Sequence, residues 1–462
     1  SRSLPDWQAV ATANALGRRF SIISGGPGTG KTYTVTRLLL TLQAIANGEL
    51  RIMMAAPTGK AKQRLIESIT RAKQDLSRSG VDNQLLASLP EAADTLHGLL
   101  GFRPQSTQQR YHQDNLLPTD LLLVDEVSMV DLPMMARILR ALPTSATLIL
   151  VGDAHQLPSI SVGSVLSDLV PQQHPGYRHA VADHIHQLTG YDVPRTDHHI
   201  QDYTTFLAKS HRFDGQGGIG LLAREMINLE SVSSWARLQA TDIALPNEPS
   251  TDQLSYLPPE DVDHWLEQAI AQYYQDISTA PDLKTAFEQL AKFRILVPTR
   301  KGPLGVEALN QRIETQLARH NPHITPGQHF HGRAIMITRN HHGLKVYNGD
   351  VGLVWKTSKG ILKACFERED GIQVINLGLL PELESVYAMT IHKTQGSEFD
   401  HVAILLPEPS NKRLSSELLY TGITRAKQHC TVSASELVWK DALENQTARN
   451  SGLRERLERA QS

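Results

Sequence analysis

The sequence predicts an α/β protein of two parallel-sheet domains, with a small β-barrel inserted into the second. Three observations carry that prediction. Strand-length apolar runs alternate with helical patterns from Phe20 onward, and the same alternation restarts at Phe293. Over 330–384 it gives way to short runs of alternating polarity. At 462 residues the chain exceeds one ordinary core, and roughly 100–200 residues per domain gives two to four domains.

Taken in order, residues 1–170 read as the first sheet domain. Its strands are Phe20–Ser24, Ile52–Ala56, Leu121–Asp125 and Thr147–Val151. Each ends in a polar or glycine-bearing loop, where ligands sit in open α/β sheets. The polar, turn-rich FRPQSTQQRYHQDNLLPTD marks a small excursion from the sheet, an insertion at about 101–118. Segment 171–292 reads as connecting and inserted helical segments that include the start of the second domain. Within it, 172–202 is rich in His, Asp and Gly, and 246–262 carries four prolines. The second domain takes 293–329 and 385–462, with strands Phe293–Val297, Ser385–Ile391, Val402–Leu406 and Thr431–Ser433 and a helix through Leu309 and Ile313. Between its halves IMI, VYNGDVGLVW, ILKACFE and GIQVINLG alternate as short strands, with Asn348-Gly349 at a hairpin turn.

Composition is that of an ordinary soluble globular protein, 40% apolar and 20% charged. No run approaches the ~20 apolar residues of a membrane span, and no secretory signal opens the chain. The first residue is Ser, which fits a processed or truncated product. Two cysteines, Cys365 and Cys430, are too few for a disulfide framework or a thiolate zinc site. The expected home is the cytoplasm, with no membrane partner. The net charge of −2 hides an uneven spread: residues 1–80 hold twelve Lys/Arg against four Asp/Glu, and 251–290 hold one against eight. Overall neutrality therefore leaves room for a polyanion, because local fields steer it.

The motifs are more specific. Gly25-Gly26-Pro27-Gly28-Thr29-Gly30-Lys31-Thr32 fits the phosphate-loop pattern, with a strand before it and a helix after it. Its glycines let backbone N–H groups wrap phosphates at the positive end of a helix dipole. Lys31 is expected on the β- and γ-phosphates of ATP, and Thr32 on Mg²⁺. In LLLVDEVSMVD, four apolar residues set Asp125 and Glu126 at the end of a buried strand. Asp125 is expected to hold Mg²⁺ through water, and Glu126 to orient or deprotonate the attacking water. A helix cap is the plain alternative for this acidic pair; its company with a phosphate loop favours catalysis. LILVGDAHQLPSI then offers Gln156 as a neutral sensor of the γ-phosphate.

GGPGTGKT, VDE and GDxxQLP together identify a helicase. The chain resembles superfamily 1 helicases, and among them the RecD family, the alpha subunits of the RecBCD (exodeoxyribonuclease V) complex. The resemblance spans most of the chain, through DWQAVATA (6–13), APTGKAKQRL (56–65), TLHGLLG (95–101), SHRFDGQGGIG (210–220), GPLGVEALNQRIE (302–314), NGDVG (348–352), YAMTIHKTQGSEF (387–399) and YTGITRAKQ (420–428). It implies two RecA-like P-loop domains with an SH3-like inserted barrel. Gln8 becomes the reader of adenine, and Arg212 and Arg425 the arginines that reach the γ-phosphate. A guanidinium fork stabilises the charge that phosphoryl transfer spreads. Closure on ATP and opening on release would drive movement, if each domain grips a strand by its backbone. Thr58, Lys60, Thr95 and His97 are the expected DNA contacts of the first domain, and Thr390, His392, Lys393 and Thr394 those of the second. The implied partners are single-stranded and duplex DNA and RecB-like and RecC-like subunits, and the implied direction is 5′ to 3′. The barrel would help hold the strand, and the 101–118 insert would be the pin that splits the duplex. The N-terminal domain ahead of the first motif in RecD proteins is expected to be lacking here, which would leave contact with a RecC-like partner unsupported.

Two other readings stay open. A stand-alone RecD-like helicase would carry an N-terminal extension upstream. An ATP-gated DNA-binding subunit would hydrolyse ATP without unwinding alone; the complete catalytic set argues against a dead ATPase. No acidic nuclease cluster is visible, so DNA cutting would fall to a partner. The histidines between 174 and 199 are irregularly spaced and lack cysteines nearby, which favours a loop over a metal site.

Overall fold

The computed structural model describes residues 5–103, 108–159, 165–171, 174, 176–197, 201–207, 217–241, 253–368, 371–409, 414–445 and 452–461. The chain divides into two compact units, 1–215 with 448–462, and 216–447.

The first unit is built on a six-stranded sheet of β1 (Phe20–Gly25), β2 (Ile52–Ala56), β3 (Asp94–Thr95), β4 (Leu121–Val124), β5 (Thr147–Gly152) and β6 (Thr204–Leu207). They lie in the order β3-β2-β4-β5-β1-β6, all parallel. Parallel strands are joined by crossovers that cover both faces, so β4 is buried at all four positions. Alternate residues serve the two faces. Leu121 and Leu123 pack with Leu38 and Leu39 of the helix Lys31–Ile45 and with Leu65 and Ile69 of the helix Gly59–Arg78. Leu122 and Val124 pack on the other side with Met135 and Ile138 of the helix Leu132–Ala141. The helix Gly59–Arg78 buries Ala61, Leu65, Ile69, Ala72 and Leu76, one helical stripe. Six of the twelve basic residues among the first 80 lie on this helix, Lys60, Arg71 and Arg78 exposed and Lys62, Arg64 and Lys73 half-buried.

β6 lies within the segment read from sequence as a connection, yet it pairs with β1 and closes that edge of the sheet. Asp202 explains why it lands there. Its backbone carbonyl accepts from Asn14 Nδ2 at 2.8 Å, and its carboxylate binds Arg178 and lies 3.8 Å from Arg18. The histidine-rich stretch also differs from the loop expected: His179, His184 and His186 sit on the helix His179–Thr189. The terminal helix Leu453–Gln461, read with the second domain, belongs to the first unit, where Arg454 bonds the Ser167 carbonyl. Its apolar residues Leu453, Leu457 and Ala460 make a stripe of only two turns, too short to say which sheet it joins; Leu453 packs on the core of the first sheet.

In chain order the second unit has β7 (Leu254–Tyr256), β8 (Phe293–Val297), β9 (Ala334–Ile337), β10 (Val351–Lys356), β11 (Leu362–Arg368), β12 (Gly371–Asn376), β13 (Leu383–Ser385), β14 (Ala388–Thr390), β15 (Phe399–Leu405) and β16 (Ala426–Ser433). A parallel sheet runs β14-β8-β15-β16-β7, and an antiparallel sheet runs β12-β11-β10-β9-β13. The antiparallel sheet is the inserted element, with its own core of Ile335, Ile337, Val346, Val354, Ala364, Phe366 and Ile375. Asn348-Gly349 does form a turn, but after an excursion of the chain, and Gly349 N–H donates back to Ile337 O at 2.8 Å.

The strand expected over Ser385–Ile391 is split between the two sheets. Ser385 pairs with Ile335 in the small sheet, and Ala388 with Ile295 in the large one. Polar side chains hold the break. Arg294, buried, donates to Val386 O, and Asn310 donates to Ser385 O and Ala388 O while accepting from Ala388 N–H. Glu314 accepts from Ser385 Oγ at 2.5 Å, from Arg333 Nε at 2.9 Å and from Gly327 N–H at 2.6 Å. Among the described residues no helix is long and apolar enough to cross a membrane.

Two histidines in the large sheet stay neutral. His401 sits between Tyr273 OH (3.0 Å) and Thr431 Oγ1 (2.8 Å), and its ring lies 4.7 Å from that of His429. Burial lowers both, His429 to about 4 and His401 well below its ordinary value, where the nearby His429 adds to the effect. The unfolded chain protonates these rings near pH 6.5, and the fold does so only at lower pH. Their contribution is therefore complete above about 6.5 and is lost as pH falls toward 4, at roughly 1.4 kcal/mol per pH unit per histidine. Thermal melting between pH 7.5 and 4.5 is expected to show a falling midpoint that is less steep in His429→Gln. An unchanged pH slope in that variant would remove the pair as the cause.

Candidate active site

The site begins where β1 runs into a loop and a helix. A Cβ at Gly25 would lie 2.6 Å from Thr29 Oγ1 and 3.0 Å from Leu207 Cβ, so the loop can start only from glycine. Gly30 caps the helix Lys31–Ile45 with φ 78°, a backbone that L side chains adopt at a cost. The loop folds on itself, with Thr29 Oγ1 donating to Gly26 O at 2.8 Å. The Lys31 ammonium donates to Gly25 O (2.8 Å) and Gly26 O (3.0 Å), over the mouth of the loop. Pro27 and Thr29 are buried, while Gly26, Gly28 and Thr32 are half-buried. Thr32 follows in the first turn of the helix, beside its unsatisfied N–H groups.

Gln8 reaches the same loop. It lies in the first turn of the helix Trp7–Leu16, capped by Asp6, and its Nε2 donates to Thr29 O at 3.3 Å. The far end of that helix is fixed by Asn14, whose Nδ2 also contacts Thr205 Oγ1 at 3.1 Å. Asn14 and Asp202 therefore position Gln8 from 188 residues apart, a link that no local pattern signals.

Asp125 and Glu126 follow β4, and the Asp125 N–H extends the sheet to Ala55 O at 2.9 Å. Asp125 Oδ1 accepts from Glu126 N–H at 2.8 Å. Burial raises the Asp125 carboxyl to about 6, and the Glu126 charge adds to it, while Lys31 and Arg64 act in the opposite sense. A cation here would restore the ionised form, so this buried carboxylate suits the divalent ion expected at Thr32 and Asp125. Glu126 has φ 53° and ψ 42°, left-handed backbone at a residue with a side chain, a strain of order 1–3 kcal/mol. β5 delivers Gln156, which is buried and donates from Nε2 to Asp153 Oδ2 at 3.1 Å. Asp153 also accepts from His155 N–H and is itself buried; the sequence reading missed this anchor. Since β5 pairs with both β1 and β4, one edge of one sheet gathers the loop, the acidic pair and the glutamine.

The expected DNA contacts are spread more widely. Thr58 and Thr95 cap helices, accepting from Ala61 N–H (3.2 Å) and Gly98 N–H (3.1 Å). Lys60 is exposed in the first turn after Thr58, and His97 is exposed with its ring 5.1 Å from that of Phe102. In the second unit Thr390 ends β14, and Ile391–Thr394 form a 3-10 turn. His392 is half-buried there, and Lys393 Nζ donates to Glu384 Oε1 at 3.0 Å. Thr394 is fully buried and donates to Ile391 O at 2.5 Å, so its hydroxyl holds the turn. Arg425 is 2% exposed and donates to Thr421 O (3.0 Å) and Ser397 O (3.3 Å). Arg212 lies outside the described residues, as does 104–107 of the expected pin.

Residues 7–162 match the AAA domain family, and residues 385–433 match the UvrD-like helicase C-terminal domain. The chain is 38% identical over 475 residues to the RecBCD enzyme subunit RecD of Haemophilus influenzae, covering 98% of this chain and 72% of that protein. It is 28% identical over 468 residues to the ATP-dependent RecD2 DNA helicase of Deinococcus radiodurans, covering 99% of this chain and 53% of that one. Among solved structures, the Pif1 helicase from Bacteroides in complex with ADP-AlF3 and ssDNA aligns at 16% identity and a TM-score of 0.48, over 100% of this chain and 97% of that one.

The two halves of the nucleotide site separate experimentally. Lys31→Ala is expected to abolish tight ATP binding. Glu126→Gln is expected to keep binding and lose turnover by at least a hundredfold, because it removes the base and leaves the loop. Glu126→Gly should also lose turnover, yet melt higher by the equivalent of about 1 kcal/mol as the left-handed backbone relaxes. Isothermal titration with ATP, a phosphate-release assay and a melting curve distinguish the three; near-normal turnover in Glu126→Gln would refute the assignment.

Proposed function

The chain belongs to the RecD family of RecBCD enzyme subunits, and we propose from that membership and its nucleotide site that it is an ATP-dependent DNA helicase motor running 5′ to 3′ along a single strand. The observation that carries the reading is the meeting of Lys31, Asp125, Glu126 and Gln156 at the ends of neighbouring parallel strands, with Gln8 bonded to the same phosphate loop.

In this mechanism Lys31 exchanges its two carbonyl partners for phosphate oxygens of ATP. The exchange is favourable because phosphate adds a full opposite charge to bonds that the ammonium already makes as a cation. Thr32 and Asp125 would hold Mg²⁺, which would neutralise phosphate charge. Glu126, fixed by its left-handed backbone, orients the attacking water and takes its proton. Gln156, anchored by Asp153, senses the γ-phosphate. Arg425, held by two carbonyls, and Arg212 supply guanidinium charge as the transition state develops. Adenine is read by Gln8.

Translocation rests on backbone contacts from Thr58, Lys60, Thr95 and His97, and from the turn that carries His392 and Lys393. Mostly neutral donors and a few cations suit sequence-independent binding. The small sheet of 330–384 acts as the SH3-like wall of the strand path, and the 101–118 insert as the pin. In the cell the motor works with RecB-like and RecC-like subunits on DNA ends, in double-strand-break repair and recombination in the cytoplasm.

Direction is the decisive property, since Lys31, Glu126 and Arg425 do not set it. Streptavidin displacement from biotinylated oligonucleotides is expected at the 3′ end only, with ATP consumption stimulated by single-stranded DNA. Displacement from the 5′ end alone would reverse the polarity while leaving the ATPase intact.

A further inference from the structure

We infer that Arg300 and Lys393 form a phosphodiester site whose place is held, when no strand is bound, by the carboxylate of Glu384. The inference rests on the DNA-motor reading and deepens it, since neither Arg300 nor Glu384 figures among the expected DNA contacts.

The topology places both cations alike. β8 and β14 are paired parallel neighbours. Arg300 follows the end of β8 by three residues, and Lys393 follows the end of β14 by three. Loops at the C-terminal ends of adjacent parallel strands are where open α/β sheets hold ligands. Here the two side chains converge on one anion. Arg300 Nη2 and Nη1 donate to Glu384 Oε2 (2.6 Å) and Oε1 (3.2 Å), and Lys393 Nζ donates to Oε1 (3.0 Å). A bidentate guanidinium with a second cation is the arrangement that also receives two phosphate oxygens.

Glu384 is fixed and its partners are not. Its backbone pairs with Met336 in the small sheet, and Ser385 beside it is locked to Glu314 and Arg333. Its side chain is 18% exposed, against 45% for Arg300 and 28% for Lys393. Burial works against its ionisation, and the bonds from Arg300 and Lys393 outweigh that, so the carboxyl sits below its ordinary value. Glu307, 3.6 Å from Arg300 Nε and more exposed, supplies the only other acidic contact to this arginine among the described residues.

A strand phosphate that enters must take both cations from Glu384 and leave that carboxylate without them. Binding is therefore weaker than at a bare two-cation site, which suits a motor that must release its track in every cycle.

The test uses the full chain and a fluorescein-labelled oligothymidylate, with affinity measured by anisotropy over a salt series. Glu384→Gln keeps the shape and removes the competing charge. It is expected to bind at least threefold tighter at low salt, with a salt slope steeper by about 0.7 for the one added cation neutralised. Arg300→Gln is expected to bind more weakly and, combined with Glu384→Gln, to erase the gain. Unchanged or weaker binding by Glu384→Gln, with melting like the parent, would overturn the site and make Glu384 a mere support for Lys393. Should that variant fail to fold, unchanged affinity in Arg300→Gln overturns it equally. A parent chain that binds no oligothymidylate overturns the DNA-motor reading itself.

Discussion

The bonds from the Lys31 ammonium to the carbonyls of Gly25 and Gly26 are the constraint on which the nucleotide site turns. They close a loop whose N–H groups must point inward for an anion, and they do so with the cation proposed to meet the phosphates. That geometry requires β1 to end in a residue without Cβ and the helix to begin from a left-handed glycine. It also requires β1 to be held firmly, which the sheet provides by pairing it with β5 on one side and β6 on the other. Asp202, Asn14 and Arg178 then tie the Gln8 helix to the β6 edge, so Gln8 and the phosphate loop share one frame.

The second unit solves a different problem with polar groups. An inserted antiparallel sheet has to leave a parallel sheet and return to it at Ser385–Ala388, where backbone groups lose their ladder partners. Arg294 and Asn310 satisfy those of Val386, Ser385 and Ala388, while Glu314 and Arg333 hold the Ser385 hydroxyl. Burying such groups is costly unless every one finds a partner, and removing one member of a buried ion pair typically costs 3–5 kcal/mol. The network thereby fixes the angle at which β13 leaves, and with it the position of Glu384. Rigidity at the root of the insert is what sets the exposed Arg300 and the half-buried Lys393 around one point.

What could be read from sequence follows from distance along the chain. The phosphate loop, the acidic pair and Gln156 lie each within one strand-loop segment, so local pattern sufficed to place them. β6 and β7 could not be placed as edge strands, because Thr204–Leu207 and Leu254–Tyr256 are short and their partners lie 182 and 176 residues away at Ile22 and Cys430. The run Ser385–Ile391 looks like one apolar strand; only the buried Arg294 and Asn310 reveal that it serves two sheets. Phe293–Val297 was legible as a strand, but not that the guanidinium of its Arg294 would be buried, 4.9 Å over the ring of Phe399. The left-handed backbone at Glu126 leaves no compositional trace at all.

Both units have parallel sheets with functional loops at the strand ends, and the chemistry of the loops separates them. After β1 the chain offers glycines, N–H groups and a helix start, a cradle for a triphosphate that stays through a catalytic cycle. After β8 the chain reads PTRKGPLG, with its cation held by a carboxylate rather than by loop carbonyls. The first arrangement binds an anion deeply by backbone, and the second by side chains that are already half-satisfied. Capture by backbone suits the fuel and capture by exchangeable side chains suits the track, because a motor advances only if each contact with the strand can be broken once in every cycle.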